Sequence, residues 1–248
     1  MSFWADGVVR RARDLADGAQ ELVWPTRCLS CDLPGELLCE DCRATLPWIA
    51  QRWACPVCGA PYGWITCTEC DRAWETRCCV AALTFRGTAA RMATALKDAH
   101  ELRLAPVIAS AIEVALDEAS SWDATDGLPR FSVGRMDAIS FVPATPEAYK
   151  RRGFDHMELV SRELSRATGL PLADVLVRAR GRDQRVLGRQ ERASNLEGSI
   201  CAVEDVSGMR ILLADDVVTT GATMREAARA LLDRGAESVT ACALARVW

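Results

Sequence analysis

Several features that would settle the class of this chain at once are missing from it. No window of 18 residues is apolar throughout, so nothing reads as a bilayer span. The opening stretch MSFWADGVVRRARDLADGAQELVWP carries charges along its whole length and has no apolar block, so it does not read as a secretion signal. A cytoplasmic location is therefore expected. Lysine is nearly absent, present only as Lys97 and Lys150. The formal net charge of −4 over 248 residues gives no global attraction to nucleic acid or membrane. No G-x-x-x-x-G-K occurs, which excludes a Walker A loop. The only internal repetition is a set of cysteine pairs. What remains is half apolar and 26% charged, the composition of an ordinary globule long enough to bury a core.

Cysteine is plentiful instead. Eight of the twelve fall in four C-x-x-C pairs, Cys28/Cys31, Cys39/Cys42, Cys55/Cys58 and Cys67/Cys70. Reduced thiols at this spacing point to metal rather than to disulfides. A two-residue gap lets one tight turn aim both sulfurs at one ion, and two such turns complete a tetrahedral site for structural Zn²⁺. Sequential pairing is simplest, with Cys28, Cys31, Cys39 and Cys42 on one zinc and Cys55, Cys58, Cys67 and Cys70 on the other. A cross-braced pairing is the alternative. Residues 1–79 hold 8 basic and 11 acidic side chains, which disfavours DNA binding through this module. Trp48, Trp53, Trp64 and Trp74 could stack on bases but are expected to fill a thin core. Cys78, Cys79, Cys201 and Cys242 are expected to be small core residues. Ahead of the pairs, Phe3, Trp4, Val8, Ala12, Leu15, Ala19, Leu22 and Val23 share one face of a helix expected over 1–24. The expected division is thus a helix at 1–24, a double zinc ribbon at 25–79, and a third domain at 80–248.

From residue 80 the texture changes to apolar strands alternating with helices. Strands are expected at 80–85, 136–144, 209–216 and 238–247, and helices at 88–100, 105–119, 156–168 and 221–236. Residues 120–134 are expected to form an exposed loop. The alternation predicts an α/β fold with a parallel sheet covered on both faces.

One stretch, ILLADDVVTTGAT at 211–223, carries the chemistry. A buried strand ends in Asp215 and Asp216, where open α/β sheets bind ligands. A loop of Thr and Gly follows at a helix N-terminus, which offers unpaired N–H groups, the positive end of a dipole and hydroxyl donors to an anion. Phosphate in the loop and vicinal hydroxyls on the two carboxylates describe a ribose 5-phosphate.

This stretch resembles the binding signature of type I phosphoribosyltransferases, whose ligand is 5-phosphoribosyl 1-pyrophosphate (PRPP). With the cysteine pairs, FRGTAARMATALK (85–97), FVPATPEAYKRRGFDH (141–156) and RARGRDQRVLGRQERASN (178–195), nearly the whole chain resembles the ComF family. Those are competence-associated proteins with a double zinc ribbon ahead of a phosphoribosyltransferase domain, a Rossmann-like parallel sheet. The resemblance implies that Asp215 and Asp216 hold the ribose hydroxyls with the help of Mg²⁺. It implies that Thr219, Thr220, Gly221, Ala222 and Thr223 cradle the 5′-phosphate. Lys150, Arg151 and Arg152 then become the positive charges for pyrophosphate. The family's R-G-F-N-Q reads RGFDH here, with Asp155 and His156, and His156 is expected merely to cap or face a helix. Arg178, Arg180, Arg182, Arg185, Arg189 and Arg192 stand against only Asp183 and Glu191, which reads as a mobile basic loop. Arg192, with Asn195, matches the family's R-x-x-N and is the catalytic candidate within it.

Three functions fit this pattern. The first is a Mg²⁺-dependent phosphoribosyltransferase acting on an unnamed acceptor. The second is a non-catalytic PRPP sensor. The third is a DNA-uptake adaptor that meets single-stranded DNA or other competence machinery through the basic loop and the ribbons.

Overall fold

The structure, a computed structural model, describes residues 25–70, 73–178 and 199–248. The helix expected over 1–24 and most of the basic loop, including Arg192 and Asn195, lie outside the described residues. The chain forms two compact units, Met1–Leu46 and Pro47–Trp248. The division runs between the two cysteine clusters, so the second cluster packs with the α/β unit.

In the smaller unit, a short helix α1 (Glu40–Ala44) follows Cys39, with Glu40 and Asp41 in its first turn, where carboxylates suit the helix dipole. In the larger unit, four parallel strands form one sheet in the order β1 (Cys78–Thr84), β6 (Ser238–Arg246), β5 (Arg210–Val218), β2 (Ala138–Phe141). The central strands are apolar on both sides, and residues 211–216 of β5 and 239–246 of β6 are all buried. That pattern is what a sheet covered on both faces requires.

Helices α2 (Gly87–Lys97), α3 (Leu104–Ala119) and α5 (His156–Thr168) pack on one face. The other face is covered by α6 (Ala222–Asp233) and an antiparallel pair, β3 (Leu176–Arg178) with β4 (Ile200–Ala202). There Met224, Ala227, Ala228 and Leu231 of α6 join Ile211, Leu213, Val239 and Ala241 of the sheet in one core. Each fully buried Leu, Ile, Val or Met contributes about 1.5–3 kcal/mol. The chain leaves β2 through the segment Pro146–Arg152 for α5, and leaves β5 for α6 on the opposite face, so the connections of these neighbouring strands diverge at their carboxyl ends, the usual ligand position in such sheets.

Three elements differ from expectation. Residues 146–152 form a helix, α4 (Pro146–Arg152), with Thr145 accepting from Ala148 N–H and Pro146 at the first turn, a capping signal in plain view in the TPE run. The stretch 120–134 is not simply exposed. Arg130 is only 2% exposed and donates to the carbonyls of Gln51 at 2.6 Å and Asp123 at 3.1 Å, and Phe131 is buried. Cys201 is exposed rather than in the core, because strand alternation turns Ile200 and Ala202 inward and Cys201 outward.

Candidate functional site

β5 carries its two carboxylates to the end of the strand and buries both, at 8% exposure each. Each bends forward onto the next amide: Asp216 N–H donates to Asp215 at 2.9 Å, and Val217 N–H to Asp216 at 2.7 Å. Their surroundings differ. Asp216 Oδ2 accepts from Lys97 Nζ at 3.0 Å and sits 3.1 Å from His156 Nε2. Burial works against its charge, but the His156 hydrogen bond and Lys97 outweigh it and hold this carboxyl well below the usual range. Burial pushes Asp215 well above that range, reinforced by the charge on Asp216. Among the described residues no cation pairs with Asp215.

The expectation that His156 merely caps or faces a helix does not hold. The cap of α5 is Asp155, which accepts from Met157 N–H at 2.9 Å and also from Ala144 N–H at 2.6 Å, tying the exit of β2 to the start of α5. His156 turns inward and is 5% exposed. Its Nδ1 lies 3.2 Å from Arg152 Nη1. A guanidinium only donates, so Nδ1 accepts and Nε2–H is left to donate to Asp216. The KRR trio is thereby divided. Arg152 is buried behind His156, while Lys150 and Arg151 are exposed, Arg151 standing 3.7 Å from Asp98.

Beyond β5 the chain turns through Thr219 and Thr220, both exposed, to Gly221. Gly221 is the N-cap of α6 with φ 74°, a left-handed conformation that side chains rarely adopt. A Cβ there would also lie 2.5 Å from two ring carbons of Trp74. Glycine has no side chain to accept from the first turn, so the N-cap residue itself gives this helix no side-chain cap. Of its leading N–H groups, that of Ala222 makes only a long bond to Thr220 Oγ1 at 3.4 Å, and that of Thr223 points out of the first turn, so both are placed to receive an outside acceptor. The loop carbonyls point the other way. Those of Val218 and Thr219 accept from Arg246 Nη1, and that of Thr220 accepts from Arg225 at 2.9 Å.

Both cysteine quartets assemble in the sequential pairing. In each, the four Sγ atoms lie within 4.8 Å of one another. Neighbouring sulfurs are 3.6 Å apart for Cys31 and Cys39, 3.5 Å for Cys55 and Cys70 and for Cys58 and Cys67, and 3.4 Å for Cys67 and Cys70. A zinc thiolate tetrahedron with bonds of about 2.3 Å has edges of about 3.8 Å, so four soft sulfurs at this separation fit a structural Zn²⁺. The remaining buried thiols do not compete. Burial raises Cys78 to about 11 and pushes Cys79 and Cys242 up as well, so these three stay protonated in the core.

Residues 149–247 match the phosphoribosyl transferase domain family. The chain is 27% identical to the DNA utilization protein YhgH of Salmonella typhi, over 91% of this chain and 99% of that one. It is 28% identical to the competence protein ComFC of Bacillus subtilis, over 92% of this chain and 91% of the relative. Two four-cysteine clusters ahead of a phosphoribosyltransferase domain bear out the resemblance to the ComF family. Among solved structures, the glutamine PRPP amidotransferase of B. subtilis covers 59% of this chain and 27% of its own, at 20% identity and a TM-score of 0.36, too distant to bear on function.

Sequence reasoning missed three residues in and around this site. Lys97 is one of only two lysines, and no local pattern marks it. Glu226, buried on α6, accepts from Ser199 N–H at 2.5 Å, Ser199 Oγ and Ile200 N–H, and so anchors the start of β4. Arg246 reads as the last residue of an apolar strand, yet it is 1% exposed. The tryptophans also depart from expectation. Trp48, Trp53 and Trp64 are 39–55% exposed, and the first two line a cleft of about 320 Å³ with Tyr62, Phe85, Arg86 and Trp248. Among the described residues, no helix is long and apolar enough to cross a membrane.

Proposed function

We propose that this ComF-like chain binds PRPP with Mg²⁺ and acts as a phosphoribosyltransferase-like protein in the handling of DNA taken up by the cell. One observation carries the reading: a glycine-capped helix start lies a short loop beyond two buried carboxylates with opposite protonation tendencies. A 5′-phosphate accepts from the first-turn amides and from the hydroxyls of Thr219, Thr220 and Thr223. The ribose 2′- and 3′-hydroxyls donate to Asp215 and Asp216. Hard carboxylate oxygens suit Mg²⁺, and Asp215, buried without a cationic partner, is the carboxylate a cation would favour. When bound, Mg²⁺ supplies positive charge to the pyrophosphate.

In the transfer step, the bond from C1′ to the pyrophosphate oxygen breaks and its electron pair leaves with pyrophosphate. A bond from the acceptor's nucleophile forms at C1′, through a ring of oxocarbenium character. Lys150 and Arg151 meet the departing charge, together with Arg192 from the basic segment. Arg152 is a positioning residue, holding His156 against Asp216. DNA handling rests on the names of the relatives, a competence protein and DNA utilization proteins.

The test is calorimetric titration of PRPP, with and without Mg²⁺, against wild type and Asp215→Asn/Asp216→Asn. Magnesium-dependent binding that the double variant loses supports the proposal. Absence of binding to folded, zinc-loaded wild type overturns it. Release of pyrophosphate on adding acceptors then separates a transferase from a sensor.

A second reading, a single-strand-binding adaptor, draws on the exposed Trp48 and Trp53 and on the arginines of 178–192. It requires salt-dependent affinity for single strands that falls when Arg185, Arg189 and Arg192 are neutralised.

A further inference from the structure

We infer that metal occupancy of the second cysteine cluster sets the anion affinity of the 219–223 loop, with Arg246 and Trp74 as the positioning residues that join the two. The inference rests on the reading of this loop as the phosphate site. It takes in both of the connections that the structure draws between the cluster and the loop.

The first connection is Arg246. A guanidinium cannot shed its charge in the interior, so each of its donors needs an acceptor. Here the donors are shared between two regions. Nε donates to the carbonyl of Cys58 at 3.2 Å, and Nη2 stands 3.6 Å from the carboxylate of Glu69, between Cys67 and Cys70. Nη1 donates to the carbonyls of Val218 at 3.2 Å, of Thr219, and of Val247 at 2.7 Å. One buried side chain therefore touches both C-x-x-C turns and the loop.

The second connection is Trp74, four residues past the last ligand. It packs against the buried group of Cys55, Cys58 and Ala60, and its ring fills the space beside Gly221. Arg225, whose guanidinium lies 5.5 Å from the Trp74 ring centroid, donates to the carbonyl of Thr220. Glu75 pairs with Arg229 of α6.

The consequence follows from peptide planarity. The carbonyl of one residue and the N–H of the next share a plane and point in opposite directions. Holding the carbonyls of Val218, Thr219 and Thr220 toward Arg246 and Arg225 aims the N–H groups of Thr219, Thr220 and Gly221 away, toward an anion. An ion on Cys55, Cys58, Cys67 and Cys70 fixes both turns, and with them the Cys58 carbonyl and Glu69. Without the ion, Arg246 loses its two fixed partners on that side, and the Thr219 carbonyl loses its anchor, whereas that of Val218 keeps the Val247 N–H at 2.9 Å and that of Thr220 keeps Arg225. The first cluster lies in the other compact unit, which supplies a control.

The test uses the full chain and amide hydrogen exchange, which needs no ligand. Cys67→Ser/Cys70→Ser and Cys39→Ser/Cys42→Ser each remove one cluster's ion, checked by metal content. The expected result is faster exchange at 219–224 in the first variant only, with affinity for ribose 5-phosphate about tenfold weaker, the scale of one charged hydrogen bond. Equal protection and equal affinity in the two variants overturn the inference. If the first variant does not fold, Arg246→Lys in metal-loaded protein decides, since a lysine keeps the charge but cannot span both regions. Two metal equivalents with faster loop exchange support the coupling, and unchanged exchange overturns it. If wild type binds neither PRPP nor ribose 5-phosphate, the proposed function fails while the exchange comparison still judges the coupling.

Discussion

The two cysteine clusters share ligand type, the C-x-x-C pair and sequential pairing, yet they are set in different surroundings. In the first, Cys31 is exposed, and the neighbouring ion pairs, Arg27 with Asp32 and Arg43 with Glu36, join residues a few positions apart with both partners largely in solvent. In the second, Cys55 and Cys58 are buried, and the turn carbonyl of Cys58 receives a guanidinium from 188 residues away. A motif specifies what is bound. Burial and long-range partners decide what else that binding controls.

The largest effect that can break this comparison comes from the ligands themselves. Cys58→Ser/Cys67→Ser should remove about one metal equivalent and cooperative folding of the cluster, since structural zinc sites contribute about 10 kcal/mol or more. Calorimetric unfolding should show the main transition lowered by many degrees. Cys28→Ser/Cys42→Ser should also remove about one equivalent but leave that transition within about 2 °C. Equal shifts would erase the distinction.

Gly221→Ala comes next. It places a side chain at φ 74° and against Trp74. The left-handed strain alone is about 1–2 kcal/mol, and the overlap adds to it. Adding Trp74→Ala should recover the overlap and leave the strain, which thermal melts of the single and double variants can resolve.

A smaller effect concerns pH. The carboxyl of Asp215 is raised in the folded state, so the fold loses stability as pH climbs from the ordinary carboxylate range toward that raised value. Asp215→Asn should therefore melt higher than wild type at neutral pH, and the gain should vanish in acid below about pH 4. Asp216, held low by His156 and Lys97, works oppositely: its contribution is complete at neutral pH and is lost on acidification. Asp216→Asn should melt lower at neutral pH. Melting curves of both variants across pH read out the signs.

The smallest effect belongs to Cys201→Ser. The residue is exposed and outside both clusters, so metal content should not change and stability should move by no more than about 0.5 kcal/mol.

The parts of the fold legible in the sequence are those written in short-range patterns. The limits of α5 follow from Asp155 as cap and Gly169 in the left-handed conformation at its end. The strand at 210–218 announces itself by its apolar run, and the ligand quartets by spacing. The Thr-Pro cap of α4 is equally legible but is overshadowed by the basic KRR that ends the helix. Lys97 and His156 are not legible as neighbours of Asp216, nor Arg152 as the partner of His156. They come from separate helices, α2 beside the carboxylate and α4 with α5 beyond β2, and no spacing rule links Lys97 and His156 to a carboxylate 119 and 60 positions away.

The sequence alone determined the α/β class, the metal-binding quartets, and the placing of an acidic pair before a glycine-ended loop at a helix start. Each depends on periodicity or on neighbours within a few residues, where backbone geometry leaves few choices. Only the tertiary structure decided which carboxylate carries the charge, that a histidine stands on it, and that a buried arginine joins the second cluster to the loop. Those outcomes depend on burial and on which distant donors arrive within hydrogen-bond reach, and packing settles both.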